Sequence, residues 1–222
     1  MTSATMLNLL KFKFRSHTDL ANNETLMLEI LNQAQDRVVC YLNNHLLSEL
    51  HEAETNKSLT NDAYAIDSLT GNPFGGISGV QYVKIYDGKF CRKVSFREYQ
   101  DHADSKMTFD LTSPVWYSRG TKIYPVPSTT GTTTIDVYYL DTPTAITSSA
   151  TSELNAKFHD LIVETAESEL WAGVGDFNKR NEAAQRVIEK IEMFNSEAPE
   201  TDMIIENVDY DTTIVRDYVL TT

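Results

Sequence analysis

Neither proline nor glycine occurs in the first 70 residues, which excludes a turn-rich β-architecture there and favours uninterrupted helix. Cysteine is almost as scarce. Cys40 and Cys91 are the only two, and neither has a C-x-x-C partner, which argues against a disulfide framework or thiolate metal site and for a reducing, cytosolic place of synthesis. No apolar run approaches the roughly 20 residues that a membrane-spanning helix needs. The longest are as short as Leu161-Ile162-Val163, and Leu7, Leu9 and Leu10 run directly into Lys11, Lys13 and Arg15 without a small-residue cleavage site. Neither a secretory signal nor a membrane anchor is expected. Positive charge is also in deficit: 19 basic against 32 acidic residues leave a net charge of −13. Affinity for phosphate backbones comes from Lys and Arg displacing counterions, so this balance disfavours DNA binding.

The chemistry of catalysis is missing too. His17, His45, His51, His102 and His159 are scattered, without the H-E-x-x-H spacing that sets two imidazoles on one helical face. His45 and Glu49 lie one helical turn apart, but two ligands seldom hold a metal, and a solvated helix face is the simpler reading. No G-x-S-x-G elbow is present, and no Ser or Cys has a context that predicts an activating base. Gly71-Asn72-Pro73-Phe74-Gly75-Gly76-Ile77-Ser78-Gly79 is rich in glycine. It has no preceding strand and no following Lys-Ser/Thr, so it reads as a flexible surface protrusion that orders against a neighbour rather than as a phosphate loop. No enzymatic activity, metal or cofactor is expected.

What is present is an ordinary globular composition, 41% hydrophobic and 10% aromatic over 222 residues, enough for a real core. Met27, Ile30, Leu31, Ala34, Val38, Leu42 and Leu46 follow a helical stripe, predicting one long amphipathic helix from about Asn22 to Glu52. From Val80 the period shortens to two. Val80–Tyr86 and Lys89–Val94 flank Asp87-Gly88 as a hairpin. A short helix from Ser95 or Phe96 to Ala103 follows, then strands at Pro114–Tyr117, Lys122–Tyr124 and Thr133–Tyr139. After Pro143 the helical pattern returns with Leu154, Phe158, Leu161, Ile162, Thr165 and Ala172. It breaks at Gly173-Val174-Gly175 and resumes behind Asp176 with Phe177, Ala184, Val187, Ile188, Ile191 and Phe194, predicting an αα-hairpin.

The expected fold is α+β: a helical bundle, made of a long N-terminal helix and a C-terminal αα-hairpin, with an inserted small, mostly antiparallel β-domain and an extended C-terminal arm. The corresponding divisions are 1–54, 55–143, 144–196 and 197–222. Leu31, Val38, Leu161, Ile162, Ile188 and Ile191 are expected in the bundle core. The acidic arm carries β-prone patches, and Met203, Ile204, Ile205, Val208, Ile214, Val215 and Tyr218 are the candidate interaction residues, suited to strand addition on a partner's sheet.

Several phrases carry a likeness to a known family. Tyr117-Ser118-Arg119-Gly120, then Pro125 and Pro127, then Val137-Tyr138-Tyr139-Leu140-Asp141-Thr142-Pro143, then Phe158-His159-Asp160-Leu161-Ile162-Val163 occur in that order, behind a long first helix containing Leu31–Val38. Together they resemble the head-to-tail adaptor, or connector, proteins of tailed bacteriophages. The resemblance implies a virion structural protein made in the bacterial host cytoplasm and placed at the head–tail junction. It implies a homo-oligomeric ring, typically of twelve copies, that docks under the portal protein and meets tail or second-ring proteins. DNA would pass through the channel without sequence-specific binding. The acidity agrees, because a negative channel wall lets DNA slide. The alternatives are another virion component, such as a tail-completion or head-decoration protein, and, from a different class, a small enzyme or ligand-binding module, which would need a deep pocket with convergent polar groups.

Overall fold

A computed structural model describes residues 1–85, 88–104, 113–126 and 134–197. In chain order its helices and first strands are α1 (Ser3–Lys13), α2 (Thr18–Ala21), α3 (Glu24–Tyr41), β1 (His51–Ser58), β2 (Tyr64–Ala65), β3 (Val80–Ile85) and β4 (Phe90–Lys93). There follow α4 (Phe96–Asp104), β5 (Val115–Arg119), β6 (Lys122–Val126), β7 (Thr134–Leu140), α5 (His159–Gly173) and α6 (Phe177–Asn195).

The helices start where side chains can satisfy their free N–H groups. Thr2, Asn23 and Asp176 accept from the backbone N–H of Thr5, Leu26 and Lys179 at the heads of α1, α3 and α6. Gly175, with φ of +79°, makes the turn between α5 and α6. The αα-hairpin is thus observed, with its break at Gly173–Gly175 and its cap at Asp176. Its core faces include Leu161 and Ile162, both at 0% exposure, against Met6, Leu10, Phe14, Leu31 and Val38. The stripe of α6 is rotated from expectation. Ala183, Val187 and Phe194 are buried and Ile191 packs beside them, whereas Ile188 is 49% and Phe177 61% exposed. Both Val187 and Ile188 fit a helical period, and the neighbours decide: Arg186 and Lys190 turn toward acids on α5, which swings Ile188 outward.

The first long helix is shorter than its apolar pattern. It ends at Tyr41, where Leu42 turns extended (φ −84°, ψ 144°), and two 3-10 turns carry Leu46, Leu47 and Leu50 into the same core. The burial inferred from the stripe is real, but irregular chain delivers it. Sequence reading also missed α1, whose Met6, Leu7 and Leu10 are buried.

The sheet overturns the expected fold class. It is a seven-stranded mixed sheet in the order β1-β7-β3-β4-β5-β6-β2, with β4 and β5 parallel. It forms a major domain with its own core, which includes Val83, Trp116, Ile123, Ile135 and Val137, and is not a small insertion into a helical bundle. β1 and β2 stand at opposite edges, yet only residues 59–63 join them. Laid flat, six interstrand steps would hold the edges about 29 Å apart. The link from Ser58 to Tyr64 reaches at most about 21 Å, and the Thr60–Ala63 bridge folds part of it back. The sheet therefore curls into a near-barrel. β1 was unreadable because His51–Ser58 is a polar edge strand with no buried residue and no apolar alternation.

The two parts meet along the ends of β1 and β7. Leu140 and Phe74 pack on the helical core, and Leu50 accepts from the Asp141 N–H at 2.7 Å. The chain after β7 is laid along α3 by Asn32, whose side chain donates to the Ile146 carbonyl at 3.0 Å and accepts from its N–H at 2.7 Å. Gln35, 1% exposed, adds a bond to the Thr144 carbonyl at 3.1 Å.

Candidate interaction surfaces

The glycine-rich stretch is not the loose protrusion its composition predicts. Glu54, on β1, sits beside it with a side chain only 12% exposed. Its carboxylate takes the N–H groups of Thr70 and Gly71, the Tyr139 hydroxyl at 3.0 Å and the Lys57 ammonium. Burial would raise the Glu54 pKa, but these four donors outweigh it and hold the carboxyl down at about 2. The Tyr139 hydroxyl is pushed well up by burial and by donating to that anion. A Cβ at Gly71 would stand 2.4 Å from the Tyr139 oxygen and push that hydroxyl off Glu54, so glycine suits this position. The Asn72 and Phe74 N–H groups add bonds to Asp141 and Leu140, both at 2.7 Å, so the turn is tied to β1 and β7 within one chain.

The helical surface handles charge by pairing. Glu167 on α5, 7% exposed, accepts from Lys13 of α1 at 2.7 Å, Arg186 of α6 at 3.0 Å and the Trp171 indole at 3.3 Å. Glu164 faces Lys190 at 3.0 Å, and Arg37 of α3 meets Glu169 at 2.7 Å. With its cations drawn inward, α6 shows solvent a row of Glu182, Gln185, Glu189 and Glu192, flanked by the exposed Ile188 and Met193.

The outer face of the sheet is different. Strand alternation and register put Tyr82, Lys84, Phe90, Arg92, Tyr117, Arg119, Lys122 and Tyr124 on it. Tyr117 and Tyr124 stack in parallel at 5.0 Å and 3°, Tyr99 of α4 stacks on Tyr117 at 4.5 Å, and Phe96 joins them at 5.4 Å. Cations there rest on rings: Arg119 lies over Phe96 at 5.6 Å and Lys84 over Phe90 at 5.5 Å. Residues 80–126 hold eight basic and five acidic residues, against 11 basic and 27 acidic in the rest.

No group of three or more potential metal ligands occurs among the described residues. His45 and Glu49 do not form a pair, because separate 3-10 turns carry them and Glu49 accepts from Asn155 instead. His159 is buried between the carbonyls of Met1 and Leu154 at 2.9 and 2.8 Å. A surface cleft of about 410 Å³ between the glycine-rich turn and the β5–β6 tip is lined by Ile66, Asp67, Gly71, Pro73 and Thr121, among others; its Asp67 carboxylate and Thr121 hydroxyl, 3.5 Å apart, are both exposed to solvent. The arm residues Met203, Ile204, Ile205, Val208, Ile214, Val215 and Tyr218 lie outside the described residues. Sequence reading missed Glu54 and the charged faces. The available signal was the crowding of basic residues in 80–126.

No helix among the described residues is long and apolar enough to cross a membrane. No curated protein matches the chain. A family profile described as SU10 adaptor protein does match, over residues 1–210. That span takes in the helices, the whole curled sheet and both charged faces, so the chain belongs to the SU10 adaptor protein family, a family of phage structural adaptors rather than enzymes, and is a component of the virion.

Proposed function

We propose that the protein is the head-to-tail adaptor of its phage: a ring of twelve copies docked under the portal protein, extending the DNA channel and presenting a platform to tail or second-ring proteins. The family match across residues 1–210 carries this reading. Three features support it. The described surface presents a cationic, aromatic sheet face and an acidic helix face, both suited to partners. The net charge of −13 suits a wall past which DNA slides. The acidic C-terminal segment, with Met203–Val208 and Thr213–Val219 as its β-prone patches, is suited to pair with an edge strand of the portal or a neighbouring copy, and repetition round a ring would add avidity.

The test is to mix the purified chain with its portal rings and image the product by electron microscopy, with native mass spectrometry for the copy number. A twelve-fold layer at the tail-facing end of the portal is expected, and deletion of residues 198–222 should weaken that binding while leaving the melting temperature unchanged. A chain that binds tail tubes or capsid lattice but not the portal overturns the reading.

A further inference from the structure

We propose that neighbouring copies join through two unlike faces: the outer face of the β5–β6 hairpin with α4 on one copy receives the outward face of α6 on the next. The inference rests on the ring reading and names the contact that would build the ring.

The receiving face is odd for an isolated molecule. Arg119 and Lys122 are direct cross-strand partners on the same side of the hairpin, an arrangement that like charges disfavour. Neither they nor Arg97 on α4 have a carboxylate within ion-pair distance among the described residues, although the chain carries 32 acids. Asp67 reaches the hairpin tip but engages the Thr121 hydroxyl at 3.5 Å, not a cation. Around these charges lie the half-buried rings of Phe96, Tyr117 and Tyr124.

The outward row of α6 answers each of these features. Glu182, Glu189 and Glu192 have no cation within ion-pair distance among the described residues, and Gln185 bonds Glu189 at 3.1 Å along the row. Ile188 and Met193, 49% and 54% exposed, supply aliphatic surface of the kind that packs on tyrosine rings. No basic side chain lies on this face, because Arg186 and Lys190 are held by Glu164 and Glu167. α4 also brings Glu98, which pairs with Arg92, and the exposed Asp101, so the positive part of the receiving face is the hairpin tip at Arg119 and Lys122 with Arg97; tip against tip, or acidic row against acidic row, would repel. Sheet face on helix face is attractive and leaves the pair with one unused face of each kind, the helix face on the first copy and the sheet face on the second. Such a head-to-tail contact propagates and closes into a ring when the rotation permits.

The experiment uses the full chain and two charge-reversed variants, R119E/K122E and E189K/E192K, all four positions being exposed so that the fold is spared; thermal melts verify that. Oligomer distribution is read by native mass spectrometry across concentration and salt. Each variant alone should lose self-association at least tenfold. An equimolar mixture of the two should regain it, since the contacts between unlike variants are both charge-complementary, as should one chain carrying all four changes. Salt should weaken every such assembly. If the wild type assembles but is indifferent to both reversals, or if the mixture fails to recover, this contact is overturned and the ring reading stands. A wild-type chain that remains monomeric at every concentration, with portal rings present as well as without, overturns both.

Discussion

The α5 packing surface of the helical half and the outer face of the sheet keep most of their positive charges in different ways. On the helices, Lys13, Arg37, Arg186 and Lys190 are all tied to carboxylates of α5, and even Lys157 and Lys179, which lie over rings, also have Glu197 and Asp176. On the sheet, Lys57 and Arg92 pair with Glu54 and Glu98, but Lys84 and Arg119 have rings beneath them and no carboxylate within ion-pair distance among the described residues. Pairing inside the helical half fixes the packing of α1, α3 and α6 on α5. Ring support on the sheet leaves the charge itself available. A chain with a large acidic excess could readily have neutralised these cations, so the difference points to the sheet face as a surface built for something outside the chain.

The largest expected effect tests where each half has its core. Leu161→Asp places an unpaired charge at a fully buried site of the helical half, and should cost on the order of 4 kcal/mol or unfold the chain outright. Trp116→Ala should open a cavity in the sheet core, with a loss of about 3–5 kcal/mol. Ile188→Asp, which the apolar pattern of α6 would place in the same class as Leu161→Asp, should shift stability by less than about 0.5 kcal/mol because that side chain faces solvent. Urea titrations of the three variants check the ranking, and an Ile188→Asp loss equal to that of Leu161→Asp would reverse the assigned face of α6.

Next in size is the carboxylate that ties the glycine-rich turn to β1 and β7. Glu54 has a folded pKa of about 2, below its ordinary value of 4.5. A depressed carboxyl contributes stability that is complete above the unfolded pKa and is lost as pH falls through the folded one. The contribution is therefore present at neutral pH, begins to fade below about pH 4.5 and is gone by about pH 2, with up to about 3 kcal/mol at stake. Glu54→Gln should flatten this part of the acid-unfolding curve, and an unchanged profile would remove Glu54 from the account.

A smaller effect separates the two treatments of charge directly. Glu167→Gln leaves Lys13 and Arg186 without their shared anion, and a loss of about 1–2 kcal/mol is expected. Arg119→Gln relieves the like-charge pairing with Lys122 and should leave stability level or raise it by a few tenths of a kcal/mol. Equal losses from the two would mean that the sheet cations are structural after all.

These contrasts also mark what the sequence could reveal. The αα-hairpin was legible because Gly175 and Asp176 punctuate it and its stripes face one continuous core. The strands from β3 to β7 were legible because they alternate or carry β-branched and aromatic residues. β1 was not, since an edge strand exposed on both faces shows no period, and without β1 the curled sheet looked like a small insert. The end of α3 was hidden because Leu46, Leu47 and Leu50 are buried as a continued helix would bury them, only in 3-10 turns. The interaction faces depend on which strand positions lie opposite one another, as with Arg119 and Lys122, and pairing of that kind is absent from local pattern.

The smallest effect concerns the turn that sets α6, and with it the acidic row, against α5. Asp176 accepts from the Lys179 N–H at 3.1 Å as the helix cap, and its pKa is lowered chiefly by that backbone bond, which outweighs the opposing effect of desolvation, with a further lowering by the Lys179 side chain. Asp176→Asn keeps an acceptor oxygen at the cap and removes only the charge, whereas Asp176→Ala removes both. The expected order of melting temperatures at neutral pH is wild type, then Asn, then Ala, with about 2–4 °C between the extremes. Because the folded pKa is depressed, the wild-type advantage over Asn should be complete above the ordinary carboxylate range and vanish as pH falls through the folded value, while the gap between Asn and Ala should persist. If Asn and Ala melt together at neutral pH, the cap bond contributes nothing, and the position of α6 is set by Ala183, Val187 and Phe194 alone.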